Sequence, residues 1–259
     1  MDLFTDVVSS DKQHFIYKLI KKDQYWAERD VLTEWAKGFQ DRDGKFVKEF
    51  QTTFEPCLWE LYLHAYMKEL GHVSNFSFDA PDFVIDKDCE FCIEATVALP
   101  PQGEQPAYGF GNEIKLGDFN EFNSQAAVRI TNSFMGKIKK LRSRYSKLEH
   151  CKNKPFVIAI ASYDRPFSHF AASRPVFAAM YGLYHDEEKT MSSNAENIVS
   201  YKVDSAMKNR NAEIKMGLFC TPEFSDVSAV IYSSLATWGK LRALSDNPSD
   251  PTVFHTFTR

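Results

Sequence analysis

One apolar run constrains the architecture more than any other feature of the chain. Residues 155–163, PFVIAIASY, are almost uninterruptedly apolar over the length of a strand. A run that short and that uniform fits a central strand covered on both faces, as in parallel sheets. Ahead of it, residues 124–148 are a predicted long helix. Before it, residues 89–98 (CEFCIEATVA) read as a strand. Its alternation puts Phe91, Ile93, Ala95 and Val97 on one face and Cys92, Glu94 and Thr96 on the other.

The flanking segments extend this core. Residues 1–52 read as helical, with Trp26, Leu32 and Trp35 at near-helical spacing before Gly38, and 45–53 forming another helix. Pro56 suits a first helical turn and Gly71 a position just past a helix end. The residues between them, CLWELYLHAYMKEL, are apolar on more than one side, which predicts a helix buried against a sheet. Residues 76–86 (FSFDAPDFVID) are expected to pair with 89–98 as a hairpin, with Asp82, Val84 and Asp86 alternating with Phe83 and Ile85. Residues 99–122, rich in Pro and Gly, read as a long loop or insertion. Residues 166–185 are aromatic-rich and partly helical, 186–200 are polar, and 216–220 and 229–235 are expected strands. The fold class is α/β, a sheet flanked by helices. Residues 1–55 form an N-terminal helical extension, 56–165 the core, and 166–259 a C-terminal part of the same domain.

Composition excludes several classes. Hydrophobic residues at 44%, with 22 Phe, exclude a disordered chain. No apolar run approaches the roughly 18 residues of a membrane span. The start MDLFTDVVSSDKQ has neither the basic nor the apolar part of a secretory signal. The chain therefore reads as cytoplasmic, with no membrane partner. Five cysteines make no disulfide framework. Cys89 and Cys92 have CxxC spacing, and His150 with Cys151 could complete a zinc site. The strand-like setting of Cys89 and Cys92 favours small buried thiols instead. Net charge is −4, yet residues 137–154 hold eight Lys/Arg against one acid, Glu149. Such a stretch suits a phosphate-facing surface or a solvated helix face.

The chemistry centres on two acids. With a turn near 86–89, antiparallel pairing would put Asp82 opposite residues 92–94 and within reach of Glu94. Two carboxylates that close repel, and a divalent cation is their natural partner. Mg²⁺ suits such a site, keeping waters and taking substrate oxygens. Pro81-Asp82-Phe83 followed by Ile93-Glu94-Ala95-Thr96 resembles the motif of the PD-(D/E)XK phosphodiesterases, the restriction-endonuclease-like superfamily. That resemblance spans roughly the hundred residues from Pro56 to Tyr163. It implies a core of helix, three strands, helix, strand, with added helices and strands, and a metal-dependent endonuclease activity on nucleic acid. Asp82 and Glu94 would then hold Mg²⁺ or Mn²⁺, joined by Glu60 from the preceding helix.

The motif's lysine is missing, because its place is taken by Thr96. Threonine supplies no positive charge to a developing phosphorane. Either the cation has moved to the following helix or the core only binds. Gln125, Arg129, Ser133 and Lys137 are spaced by four along one stripe of that helix. Arg129 and Lys137 are the candidates for stabilising charge, with Lys140 as an alternative. Gln125, Lys139, Lys140, Arg142 and Arg144 are expected to meet nucleic acid, DNA favoured over RNA, and the resemblance leaves a homodimer open. The rival reading is a catalytically silent nuclease-like module that binds nucleic acid or a protein partner.

Overall fold

The structure, a computed structural model, describes residues 1–87, 89–109, 118–192, 197–209 and 212–248. In chain order its principal elements are α1 (Phe15–Ile20), α2 (Trp26–Trp35), α3 (Phe46–Thr52), α4 (Glu55–Glu69), β1 (Phe83–Ile85), β2 (Phe91–Ala98) and α5 (Phe119–Ser143). There follow β3 (Phe156–Ser162), α6 (Arg174–Tyr181), β4 (Leu183–His185), α7 (Glu187–Ser192), β5 (Ser200–Lys202), β6 (Ser205–Asn209), β7 (Ala212–Lys215), β8 (Ala229–Ser233) and α8 (Trp238–Ser245). The fold is mixed α/β, with helices flanking its main sheet. Among the described residues no helix is long and apolar enough to cross a membrane. The chain divides into two compact units, Met1–Cys89 with the described residues from Leu235 on, and Glu90–Ser234.

The first unit is mainly helical. Pro56 sits in the first turn of α4, where a missing N–H costs nothing. The helix buries Leu58, Trp59, Leu61, Leu63 and Met67 on more than one side. His64 is buried with them, its Nε2 at 3.1 Å from the Lys37 carbonyl, and is a packed histidine. The buried Glu28 of α2 meets Arg242 of α8 at 3.1 Å and Asn247 at 2.8 Å.

The first strand of the expected hairpin is much shorter than residues 76–86. It covers only Phe83–Ile85, and its antiparallel partner within the unit is a single bridge from Ser74 to Ile85. The reason is local. The Asn75 side chain accepts a hydrogen bond from the Ser77 amide, folding the chain into an Asx turn. Pro81 has no N–H to give a ladder. Of the three strands expected before the long helix, β1 and β2 are assigned. None is assigned among the described residues between β2 and α5, whose connection lies partly outside them at 110–117.

The second unit is built on the apolar run. All of β3 is buried, and it pairs in parallel with β2 on one side and β8 on the other. Glu94 lies beside Ile158, and Ile158 beside Val230. The crossover from β2 to β3 is α5, which buries Ala126, Ile130, Phe134, Ile138 and Leu141 along one stripe. It starts at 119 instead of 124, because the Asp118 side chain caps the Asn120 amide at 2.7 Å. It ends at Ser143 instead of 148, because buried Tyr145 turns inward and stacks on Phe156. Residues 216–220 are not a strand. Gly217 takes a left-handed φ of 69° and Leu218–Cys220 form a 3-10 turn.

Candidate active site around Glu94

Alternation along β2 turns Cys92, Glu94 and Thr96 to one face, and α5 lies across it. The stripe spaced by four meets the strand in order. Arg129 Nε donates to the Leu99 carbonyl at 2.8 Å. Ser133 Oγ donates to the Val97 carbonyl at 3.1 Å. Lys137 Nζ lies 2.7 Å from Glu94 Oε1. Lys140, one turn further, places its own ammonium 2.8 Å from the same oxygen. Helix and strand run in opposite senses, so advancing along α5 moves back along β2.

Glu94 is fully buried. The side chains of Lys137 and Lys140 are 22% and 43% exposed. Burial pushes the Glu94 carboxyl up, but the two ammonium groups, Lys137 foremost, more than offset it. The carboxyl ends below the ordinary glutamate value and is ionised at neutral pH. Its other oxygen, Oε2, is buried and has no hydrogen-bond partner among the described residues. An unsatisfied buried acceptor of this kind calls for a donor or a cation. Mg²⁺ takes few protein oxygens and completes its shell with water and substrate. Oε2 is thus the Glu94 oxygen left to a donor or a cation, and among the described residues no group of three or more His, Cys, Asp or Glu is placed to hold a metal ion.

Asp82 belongs to the first unit and Glu94 to the second. Asp82 immediately precedes β1 and is held in an unforeseen setting. Arg42 donates to the carbonyls of Phe78 and Pro81 at 2.8 and 3.0 Å, and its guanidinium comes within 4.0 Å of Asp82 Oδ1. Arg42 thus clamps the turn that presents the acid. Its distance of forty residues from Asp82 left no signal in the sequence. Glu60 is half-buried on α4.

The other expected contacts separate into engaged and open groups. Arg129 holds protein backbone, since besides Leu99 it reaches the Pro100 carbonyl at 3.5 Å. Gln125 accepts from Arg165 at 3.5 Å and donates to Glu121. Arg142 makes a two-pronged pair with Asp226 at 2.7 and 3.0 Å. Lys139 and Arg144 are exposed, the latter with its guanidinium over the Tyr145 ring. Lys140 was expected either to face nucleic acid or to serve as the alternative to Lys137, and in the structure its ammonium lies on Glu94. Its position three residues after Lys137 on the same stripe was the available clue.

No family model, no curated protein and no solved structure matches the chain.

Proposed function

We propose that the protein is a metal-dependent phosphodiester hydrolase acting on nucleic acid, in which Lys137 of α5 supplies the charge that the PD-(D/E)XK motif places two residues after its glutamate. The observation that carries this reading is the 2.7 Å contact between Lys137 and Glu94. A lysine at position 96 would project from β2 on the same face as Glu94, and Lys137 reaches that face from the crossover helix. Glu94, ionised and with Oε2 unsatisfied, is the ligand on β2. The sequence motif gives Asp82 the companion role and Glu60 an auxiliary one. A bound Mg²⁺ or Mn²⁺ would polarise the phosphate and lower the pKa of a water. Lys137 holds positive charge where negative charge develops on the phosphate oxygens. Lys140 fixes Glu94 Oε1 from its other side, and Lys139 and Arg144 offer exposed charge to the nucleic acid backbone, DNA before RNA.

A catalytically silent binding module is the second reading. Thr96 and the double lysine cover on Glu94 Oε1 favour it. The test is cleavage of plasmid DNA, single-stranded DNA and RNA by the purified protein with Mg²⁺ or Mn²⁺, beside Glu94→Gln. Cleavage that disappears in the variant is the expected result. Cleavage retained by folded Glu94→Gln, or no cleavage by the parent with any substrate, overturns the hydrolase reading.

A further inference from the structure

Outside the Glu94 site the second unit holds a pair of thiols that the proposed function does not use. Cys92, at the start of β2, is fully buried, and its Sγ lies 3.7 Å from Sγ of Cys151, which is 8% exposed. Neither is in a disulfide. The residues are far apart in sequence, and the fold brings them into van der Waals contact: Cys151 closes the 3-10 turn Glu149–Cys151 that leads into β3, the parallel neighbour of β2. Small buried thiols were the favoured reading of Cys89 and Cys92; Cys92 is buried in contact with Cys151, whereas Cys89 is exposed.

Access to the pair runs through Cys151. It lines a pocket of about 370 Å³ together with Arg142, Ser146, Lys152, Lys154 and Phe156. Three of these side chains are cationic: Arg142 is paired with Asp226, which also lines the pocket, while Lys152 and Lys154 pair only with the exposed carboxylates of Glu149 and Glu90, weakly held against exchange, and are the two that face an incoming anion. Such a pocket suits a small anion that carries a reactive group to the thiol. The Cys92 thiol has two acceptors in reach, Cys151 Sγ at 3.7 Å and the His150 carbonyl at 3.9 Å, and Cys151 is the more exposed sulfur of the pair. Burial, with the nearby Glu94 charge, leaves the Cys151 thiol above its ordinary value, and the Cys92 hydrogen bond and Lys154 offset only part of that rise.

We propose that Cys92 and Cys151 form a modification site, an oxidisable dithiol that reacts with a small anionic disulfide of the glutathione class and closes into an intramolecular disulfide. Cys151 gives up its proton and its sulfur attacks one sulfur of the oxidant. The oxidant's S–S bond breaks, and one thiol leaves carrying the proton. The Cys92 sulfur, losing its proton, then attacks Cys151 Sγ in the mixed disulfide and expels the second thiol. Two protein thiols are oxidised and one external disulfide is reduced to two thiols. The new bond ties the start of β2 to the turn after α5, and the loop it closes contains Glu94, Lys137 and Lys140. A cross-link over so long a loop restricts the unfolded chain and raises the melting temperature. The inference rests on the thiol pair alone and stands whether or not the hydrolase reading does.

The test uses the full chain with Cys89→Ser and Cys220→Ser, which removes the exposed thiols. The folded protein is incubated with oxidised glutathione, then mapped by peptide mass spectrometry without reduction. The expected result is a Cys92–Cys151 linked peptide, loss of two titratable thiols, and a melting temperature several degrees above that of the reduced protein. In the same background, Cys92→Ser should stop at a mixed disulfide of Cys151 with glutathione. Retention of all three remaining thiols in the folded protein, or a bond that joins Cys57 to either residue, overturns the proposal. Parallel mapping of the parent chain gives a second check, since a Cys89–Cys92 bond there in place of Cys92–Cys151 also overturns it.

Discussion

In the first half of α5, Arg129 faces β2 and donates to backbone carbonyls, fastening the chain where β2 runs out at Leu99 and Pro100. In the second half, Lys137 and Lys140 face the same strand and meet a buried carboxylate instead. The stripe and its spacing are the same in both halves. What differs is the residue that β2 offers: a bare carbonyl beyond its end, or Glu94 in its middle. Charge on a carbonyl stabilises a loop. Charge on a buried carboxylate forms a site, because a carboxylate without a counter-ion cannot remain ionised there at neutral pH. A cation on a helix therefore takes its role from the strand residue at its own height.

The largest break in this comparison comes from removing both lysines. Lys137→Met with Lys140→Met leaves Glu94 buried without a cation and is expected to cost about 3–5 kcal/mol at pH 7. The sign follows from the shift. In the parent the folded-state carboxyl lies below the ordinary glutamate value of 4.5, so its contribution is present above that pH and lost as the pH falls below it. In the double variant burial acts alone and raises the carboxyl, so the penalty grows with pH. Chemical denaturation from pH 4 to pH 8 should show the gap between the two proteins narrow at the acid end. A gap that does not depend on pH would mean that Glu94 is not the group the lysines serve.

Glu94→Gln should matter less for folding. The amide keeps the shape, and the two partly exposed lysines can turn to water, for a cost of about 1–2 kcal/mol. It should nevertheless abolish the stabilisation by Mn²⁺ expected of the parent, seen as an upward shift in melting temperature at millimolar metal. A metal-induced shift of equal size in both proteins would remove Glu94 from the ligand set.

Arg129→Ala is the mildest change. It loses a charged hydrogen bond to the Leu99 carbonyl, worth about 1–2 kcal/mol in a half-exposed setting, and cleavage per folded molecule should remain within about threefold of the parent, far below the loss expected from removing a transition-state contact. A large loss of cleavage with unchanged stability would move Arg129 from backbone to phosphate.

Much of this frame was legible in the residues. The apolar run at 155–163 marked the buried strand, and the four-residue stripe on α5 marked the side that faces β2, because both depend on periodicity and burial. The early start of α5 was also written in Asp118, an N-cap residue three before Glu121, although the Pro- and Gly-rich stretch before it concealed that start. The shortness of β1 was harder to see. It turns on an Asx turn at Asn75 and on Pro81, which interrupt an otherwise strand-like alternation. The clamp of Arg42 on the turn before Asp82 and the contact of Cys92 with Cys151 join residues distant in the chain, and local patterns do not encode such meetings. Lys140 lay between these cases, since its stripe was visible and its partner was not.

The central claim is that Lys137 is the displaced cation of the site. It is tested most directly by comparing DNA cleavage, with Mn²⁺, by the parent, Lys137→Met and Lys140→Met, each confirmed folded. The account predicts a loss of about 100- to 1,000-fold for Lys137→Met, the scale of removing one group that stabilises transition-state charge, and a far smaller loss for Lys140→Met. Cleavage by Lys137→Met equal to that of the parent would contradict it.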